Sequence, residues 1–139
     1  MTPEQKASQI VRERASAYGM KLLRNNSGVL MNEVNVPVRF GLGNENKKLN
    51  KVMKTGDYVG PAPLLITPEM VGKTVAIFAN VEVKAEGFKH RETYPKSSRE
   101  FGQDRFNKLI NDMNGMAGFA CCAADVDRIV KEFVERMKS

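Results

Sequence analysis

A nine-residue run, residues 75–83, constrains the fold of this chain more than any other segment. Every second residue from Val75 to Val83 is aliphatic, and the residues between them are mostly apolar in the first half of the run. This pattern is typical of a strand that is buried on both faces and lies at the centre of a sheet. Because helices have to cover such a sheet, the run predicts an α/β fold.

A helix is predicted at the start of the chain. Thr2 is the expected N-cap, Pro3 occupies the first helical position, Gln5 completes a capping box, and Gly19 ends the helix. Apolar residues recur at three- and four-residue spacing and predict a side that faces the core: Ala7, Ile10, Val11, Ala15 and Tyr18.

The remaining elements follow from turn and capping signals. Three strands of a meander and an exposed polar loop are predicted after the first helix: residues 20–24, 29–31, 34–40 and 44–54. Beyond the central strand, Ser97 and Glu100 predict a capping box and hence a second helix. A strand and a last helix complete the predicted order α-β-β-β-α-β-α.

Length and composition narrow the class of protein. The 139 residues suffice for one core, so we expect one domain. No apolar run reaches the roughly 18 residues of a membrane helix, and we expect a cytoplasmic protein without membrane contacts.

The only cysteines, Cys121 and Cys122, are adjacent, and we interpret them as reduced core thiols. The net charge of +6 favours a polyanionic partner.

Two carboxylates on separate strands are the candidate catalytic groups, because a single histidine leaves little other acid–base chemistry. Asp57 begins one strand, and Glu82 and Lys84 share one side of the central strand. Converging carboxylates, with the backbone carbonyl of Val83, could bind Mg²⁺, beside which Lys84 could position or deprotonate an attacking water. The alternative is a solvated strand end where Glu82 and Lys84 pair with each other.

Gln103 is a further candidate on the helix that follows. It precedes Phe106 by three residues, so the two side chains share the inward side of the helix. Gln103 could orient Lys84 or a metal-bound water, or it could hydrogen-bond a neighbouring loop.

The chain resembles small stand-alone VRR-NUC domains of the kind found in bacteriophages, a branch of the PD-(D/E)XK nucleases. The matching residues run in family order along nearly the whole chain: Arg24-Asn25-Asn26-Ser27-Gly28, Arg39-Phe40-Gly41-Leu42-Gly43, Gly56-Asp57, Val81-Glu82-Val83-Lys84, Gln103 with Phe106, and Gly118-Phe119. The resemblance implies one nuclease domain over residues 1–139, with a restriction-endonuclease-like core: a mixed central β-sheet flanked by helices.

The resemblance also implies an activity, namely Mg²⁺- or Mn²⁺-dependent cleavage of DNA. Asp57 and Glu82 would be metal ligands, Lys84 the catalytic lysine and Gln103 an accessory active-site residue. Small members are similar to homodimeric Holliday-junction resolvases, and two symmetric cuts require two sites, so a homodimer in the host cytoplasm is expected. Cleavage by a nickase or flap-type nuclease of the same fold is the alternative.

The chain departs from the family at two points. Gly56 replaces a proline before Asp57, and the Val-Arg-Arg tripeptide does not occur. The family also has an acidic residue on the first helix. We assign it to Glu4, which shares a side of the helix with Ala7 and Val11; the alternative is that Glu4 only interacts favourably with the helix dipole.

Basic and polar residues in three segments are the candidate DNA contacts: Arg24, Asn25, Asn26, Lys47, Lys48, Lys51, Lys54, Lys89, Arg91 and Lys96. The alternatives are turn formation at Arg24, Asn25 and Asn26, and a solvated surface for the rest. From other classes, a non-catalytic nucleic-acid-binding module would not need the carboxylate pair. A dimeric scaffold protein would show no salt-sensitive DNA affinity.

Overall fold

The computed structural model describes every residue from Met1 to Ser139. It combines helices with short β-sheets, in agreement with the predicted α/β class. The chain divides into two compact units, the N-terminal unit (Met1–Ala62) and the C-terminal unit (Pro63–Ser139). None of the helices has the length and apolar composition that crossing a membrane requires.

The observed order keeps the predicted succession of a first helix, several strands, a second helix, a strand and a last helix. It adds a short helix, a two-residue strand and a one-turn 3₁₀ helix among the strands. The N-terminal unit contains α1 (Pro3–Ala17), β1 (Leu23–Arg24), β2 (Gly28–Met31), β3 (Pro37–Phe40), α2 (Lys47–Val52) and β4 (Tyr58–Val59). The C-terminal unit contains a one-turn 3₁₀ helix (Pro68–Met70), β5 (Ala79–Val83), α3 (Arg99–Asp112), β6 (Met116–Ala120) and α4 (Ala123–Lys138). In place of one central sheet, the strands form three two-stranded sheets: β1–β4, β2–β3 and β5–β6.

The capping signals of α1 are confirmed, but of its predicted core-facing residues only Ala15 is buried. The Thr2 and Gln5 side chains form the capping box, and Gly19 has a φ of 79° just beyond the helix. Ile10 and Val11 are 66% and 55% exposed. The helix packs instead through a side that includes Ser8, whose hydroxyl hydrogen-bonds that of Tyr58.

The three-stranded meander is also wrong, because β1 pairs with β4 rather than with β2. Asn25 explains the change of partner. Its backbone N–H donates to the Asp57 carbonyl (2.7 Å), and its side-chain amide donates to Thr55 Oγ1 (2.8 Å) and the Gly56 carbonyl (2.9 Å). These bonds continue the β1–β4 pairing and take the chain away from the β2–β3 hairpin.

Residues 44–54, predicted as a loop, contain α2. The side chain of Asn46 caps this helix by accepting a hydrogen bond from the Leu49 N–H (2.8 Å). Nearby, the buried Asn44 donates to the carbonyls of Gly28 and Phe40 (2.8 and 2.9 Å), which ties the segment to the hairpin. Local capping thus creates a helix in a segment without apolar periodicity.

The predicted burial of residues 75–83 on both faces is wrong. Only Ala79–Val83 forms a strand, and β5 pairs with β6 alone, in parallel from Ala79 opposite Met116 to Val83 opposite Ala120. Val83 is 76% exposed, whereas Asn80 and Glu82 on the other face are half-buried. The covered face is the polar one, because α3 supplies hydrogen-bonding partners for it.

The predicted capping box of α3 is displaced by one residue. Ser98, not Ser97, is the N-cap, and its hydroxyl accepts a hydrogen bond from the Phe101 N–H (3.3 Å). Ser98 is held in place by its own bonds to the Pro95 carbonyl. As a result, Glu100 lies in the first turn of the helix and its carboxylate points to another partner, described below.

Replacing Ile110 with alanine is expected to lower the free energy of unfolding by about 2–5 kcal/mol, because its fully buried side chain lies in the core of the C-terminal unit. The matched control is Leu109→Ala, since Leu109 is 40% exposed and should lose about 1 kcal/mol or less. Urea unfolding followed by circular dichroism measures both. Equal losses in the two variants would contradict this description of the core.

Candidate active site

A row of polar contacts joins β5 to α3. Alternation along the strand places three half-buried side chains toward the helix, and three-to-four-residue spacing on the helix presents three partners. Two residues of strand advance about 6.6 Å and three to four residues of helix about 4.5–6 Å, so neighbouring ladder positions on the two elements stay within reach of each other. We call these residues the β5–α3 polar ladder: Asn80, Glu82 and Lys84 with Asn107, Gln103 and Glu100.

Gln103 lies at the centre of this ladder. Its side-chain N–H₂ donates to Glu82 Oε1 (2.6 Å), and its Oε1 accepts from Lys84 Nζ (2.7 Å). The amide orientation is fixed, because only its oxygen can accept from the ammonium and only its nitrogen can donate to the carboxylate. Glu82 and Lys84 are therefore connected through Gln103 and form no direct ion pair with each other.

Glu100 is a member of the ladder that the sequence-based candidates do not include. Its Oε1 accepts a hydrogen bond from Lys84 Nζ at 3.1 Å. A hydrogen bond from its own backbone N–H lowers the pKa of the Glu100 carboxyl, and the bond from Lys84 lowers it further. The signal that could have found it is the three-residue spacing to Gln103, which puts both side chains on one side of α3.

The Lys84 ammonium lies in a largely enclosed position. Its side chain is 14% exposed, and Nζ lies 5.6 Å and 5.4 Å from the ring centroids of Phe88 and Phe119. Two of its three N–H groups donate hydrogen bonds to Glu100 and Gln103. The third remains available for a ligand.

Glu82 keeps one carboxylate oxygen without a partner inside the protein. Oε1 is bound by Gln103, whereas Oε2 makes no hydrogen bond or ion pair. An oxygen of this kind suits a hard cation such as Mg²⁺ or Mn²⁺. Val83, the other C-terminal-unit residue of the predicted metal set, belongs to β5 between the two ladder positions and directs its side chain to the exposed face.

Asp57 and Glu4 lie together in the N-terminal unit. They line one cleft of about 650 Å³, whose wall also includes Arg24, Asn25 and Asn26. Asp57, Glu4, Arg24 and Asn26 are exposed. The side of α1 that carries Glu4 thus faces the same cleft as Asp57, and a cation could contact either carboxylate there.

The predicted site residues therefore form two groups, one in each unit. Asp57 belongs to the N-terminal unit with Glu4, whereas Glu82, Lys84 and Gln103 belong to the C-terminal unit. Within the second group the hydrogen bonds join a carboxylate, an amide and an ammonium in sequence. This arrangement can hold a lysine proton donor at a fixed distance from an anionic ligand atom.

The candidate DNA contacts are mostly exposed side chains. Lys47, Lys48 and Lys51 lie on α2 and Lys54 just beyond it, while Lys89, Arg91 and Lys96 lie in the irregular segment between β5 and α3. Asn25 differs from the others. Its amide already bonds Thr55 and Gly56, which favours its turn-forming alternative.

No protein-family model, curated protein or solved structure matches this chain. The function is therefore inferred from the chemistry of these residues and from the motif order in the sequence.

Proposed function

We propose that this protein is a Mg²⁺- or Mn²⁺-dependent DNA endonuclease of the PD-(D/E)XK type, similar to VRR-NUC domains, and that it cuts Holliday junctions. The observation that carries the proposal is Gln103, which hydrogen-bonds both Glu82 and Lys84. A Glu and a Lys that are half-buried on one strand and joined by a helix amide are costly to desolvate, and a shared ligand would account for them.

In this proposal Asp57 and Glu82 bind the metal ion, with the Val83 carbonyl as a further ligand and Glu4 as the acidic residue of the first helix. The assignment of Asp57 follows from the motif order, and that of Glu82 also from its unpartnered Oε2. The metal, when bound, would neutralise charge that develops on the scissile phosphate.

Lys84 has the catalytic role that the protein itself supplies. Glu100 and Gln103 accept two of its N–H groups, so the ammonium is held with its third N–H available to the attacking water or to a phosphate oxygen. Gln103 and Glu100 act through Lys84 and are positioning residues. Fixed donors of this kind lower the barrier because they do not have to reorganise during the reaction.

The fold and the partners complete the proposal. In the C-terminal unit, β5, α3 and β6 form two parallel strands joined by a helix, and this arrangement supports a restriction-endonuclease-like core. The exposed lysines of α2 and of the segment after β5 would contact phosphates. A homodimer in the host cytoplasm would supply the two active sites that paired cuts in a four-way junction need.

The test compares four DNA substrates side by side: a four-way junction, a flap, a nicked duplex and a linear duplex. We expect symmetric paired cuts in the junction with Mg²⁺ or Mn²⁺ and none in EDTA. Cuts only in the flap or the nicked duplex would support the alternative nuclease types. Salt-sensitive DNA binding without cleavage of any substrate would identify a non-catalytic module and contradict the proposal.

A further inference from the structure

The two cysteines of the chain do not lie in the core. Cys121 is half-buried and Cys122 is exposed, so their predicted status as core thiols is wrong, although both are free. They occupy the turn between β6 and α4, where Cys122 is the N-cap of a 16-residue helix and its side chain makes no capping hydrogen bond. A polar N-cap would satisfy a helix N–H, so local helix stability gives no reason for a cysteine here.

Asp125 brings a carboxylate to the same turn. One Cys121 sulfur, one Cys122 sulfur and one Asp125 oxygen all lie within 4.8 Å of one another. Ligand atoms around a tetrahedral zinc ion are roughly 3.5–3.8 Å apart, given bond lengths of about 2.0–2.3 Å. Closing the three side chains around an ion therefore requires each pair of ligand atoms to approach by about 1.3 Å at most.

The carboxylate is already oriented for this role. The backbone N–H of Cys121 donates to Asp125 Oδ2 (2.9 Å), which fixes the side chain in the first turn of α4. The neighbouring Asp125 carboxylate and partial burial raise the pKa of the Cys121 thiol.

From this convergence we propose that Cys121, Cys122 and Asp125 form a binding site for a thiophilic divalent cation, with Zn²⁺ as the expected ion. The two thiolates are soft donors that favour zinc over Mg²⁺, and a carboxylate is a common additional ligand of zinc. Three protein ligands leave the fourth position of the tetrahedron to water. This site is separate from the metal site of the proposed nuclease, and it does not rest on that function.

Binding of the ion leaves the net charge of the site unchanged. The ion brings two positive charges, and the two thiols release two protons to solvent, so the net charge of the group stays at −1, that of Asp125 alone. A net negative group is favourable at the positive end of α4. The exposed sulfur of Cys122 also gives the ion a direct path from solvent.

Cobalt and zinc titrations test the site. Because the chain has two cysteines in all, any thiolate-to-Co²⁺ charge-transfer absorption reports this pair. With a non-thiol reductant, we expect that absorption to saturate at one ion per chain, and calorimetry with Zn²⁺ to give the same stoichiometry in an excess of Mg²⁺. Cys122→Ser, at an exposed position, should abolish the absorption without loss of fold.

Asp125→Asn distinguishes a three-ligand site from a simple pair of thiols. It should weaken Zn²⁺ binding by a factor of about 10–100 or more, whereas Asp127→Asn, an exposed neighbour on the same helix, should leave the affinity unchanged. The proposal is overturned by an unchanged affinity in Asp125→Asn, by one ion shared between two chains through Cys122, or by the absence of thiolate absorption.

Discussion

Replacing Lys84 with methionine is expected to slow DNA cleavage by roughly 10²- to 10⁴-fold, the contribution of a positioned proton-transfer group. Methionine is unbranched and only one atom shorter than lysine, but it removes all three N–H donors and the charge that lies near the rings of Phe88 and Phe119. Because Lys84 lies at the edge of the core and not among its fully buried residues, the variant should still fold and bind DNA. Single-turnover cleavage of the preferred branched substrate measures the loss.

The matched control is Lys131→Met, which removes an exposed lysine of α4 that has no partner and no assigned role. Its cleavage rate should equal that of the wild type. A Lys84→Met protein that cuts at the rate of this control would remove Lys84 from the mechanism. If Lys84→Met also lost its fold, its circular dichroism spectrum would differ from that of the wild type. Lys84→Arg, which keeps the charge, would then replace Lys84→Met in the comparison.

Replacing Glu82 with glutamine should reduce cleavage by about 10³-fold and abolish calorimetric binding of Mn²⁺. A metal ion contributes several kcal/mol to phosphate cleavage, and each 1.4 kcal/mol corresponds to a factor of about ten. Glutamine is the same size and can still hydrogen-bond Gln103, so the ladder should persist. Asp57→Ala should behave alike, binding the junction without cutting it.

Two exposed acidic residues without partners provide the controls, one in each unit. Glu86→Gln is matched to Glu82, and Glu45→Gln is matched to Asp57. Both should retain metal binding and cleavage. If Asp57→Ala cleaved normally while Glu82→Gln did not, Asp57 would have no role, and Glu4 would be the next residue to test as a metal ligand.

The shared side of Glu82 and Lys84, and the shared side of Gln103 and Phe106, could be predicted from periodicity alone. A strand places residues 82 and 84 on one side, and a helix places Gln103 on the side of Phe106. Each statement concerns residues of one element, and the geometry of that strand or helix determines which of its side chains point the same way. Glu100 could have been predicted by the same rule. The predicted capping box instead assigned its carboxylate to Ser97.

Tertiary relations were less predictable. The aliphatic run gave no indication that α3 would cover the polar face of β5, because hydrophobic alternation assumes that apolar side chains decide which face is buried. Similarly, the strand that precedes Asn25 pairs with β4 because of side-chain hydrogen bonds to Thr55 and Gly56, about 30 residues away. Contacts of that range leave no periodic signal in the sequence.

The β5–α3 polar ladder also limits which sequence changes the protein can accept during evolution. Substitutions at the exposed positions of α3 leave its four hydrogen bonds to the strand aligned, because each ladder residue stays at its own helical angle. Inserting or deleting one residue between Glu100 and Asn107 would instead turn the rest of the helix by about 100°. All downstream partners would then leave the strand together, so this stretch tolerates variation in identity but not in length.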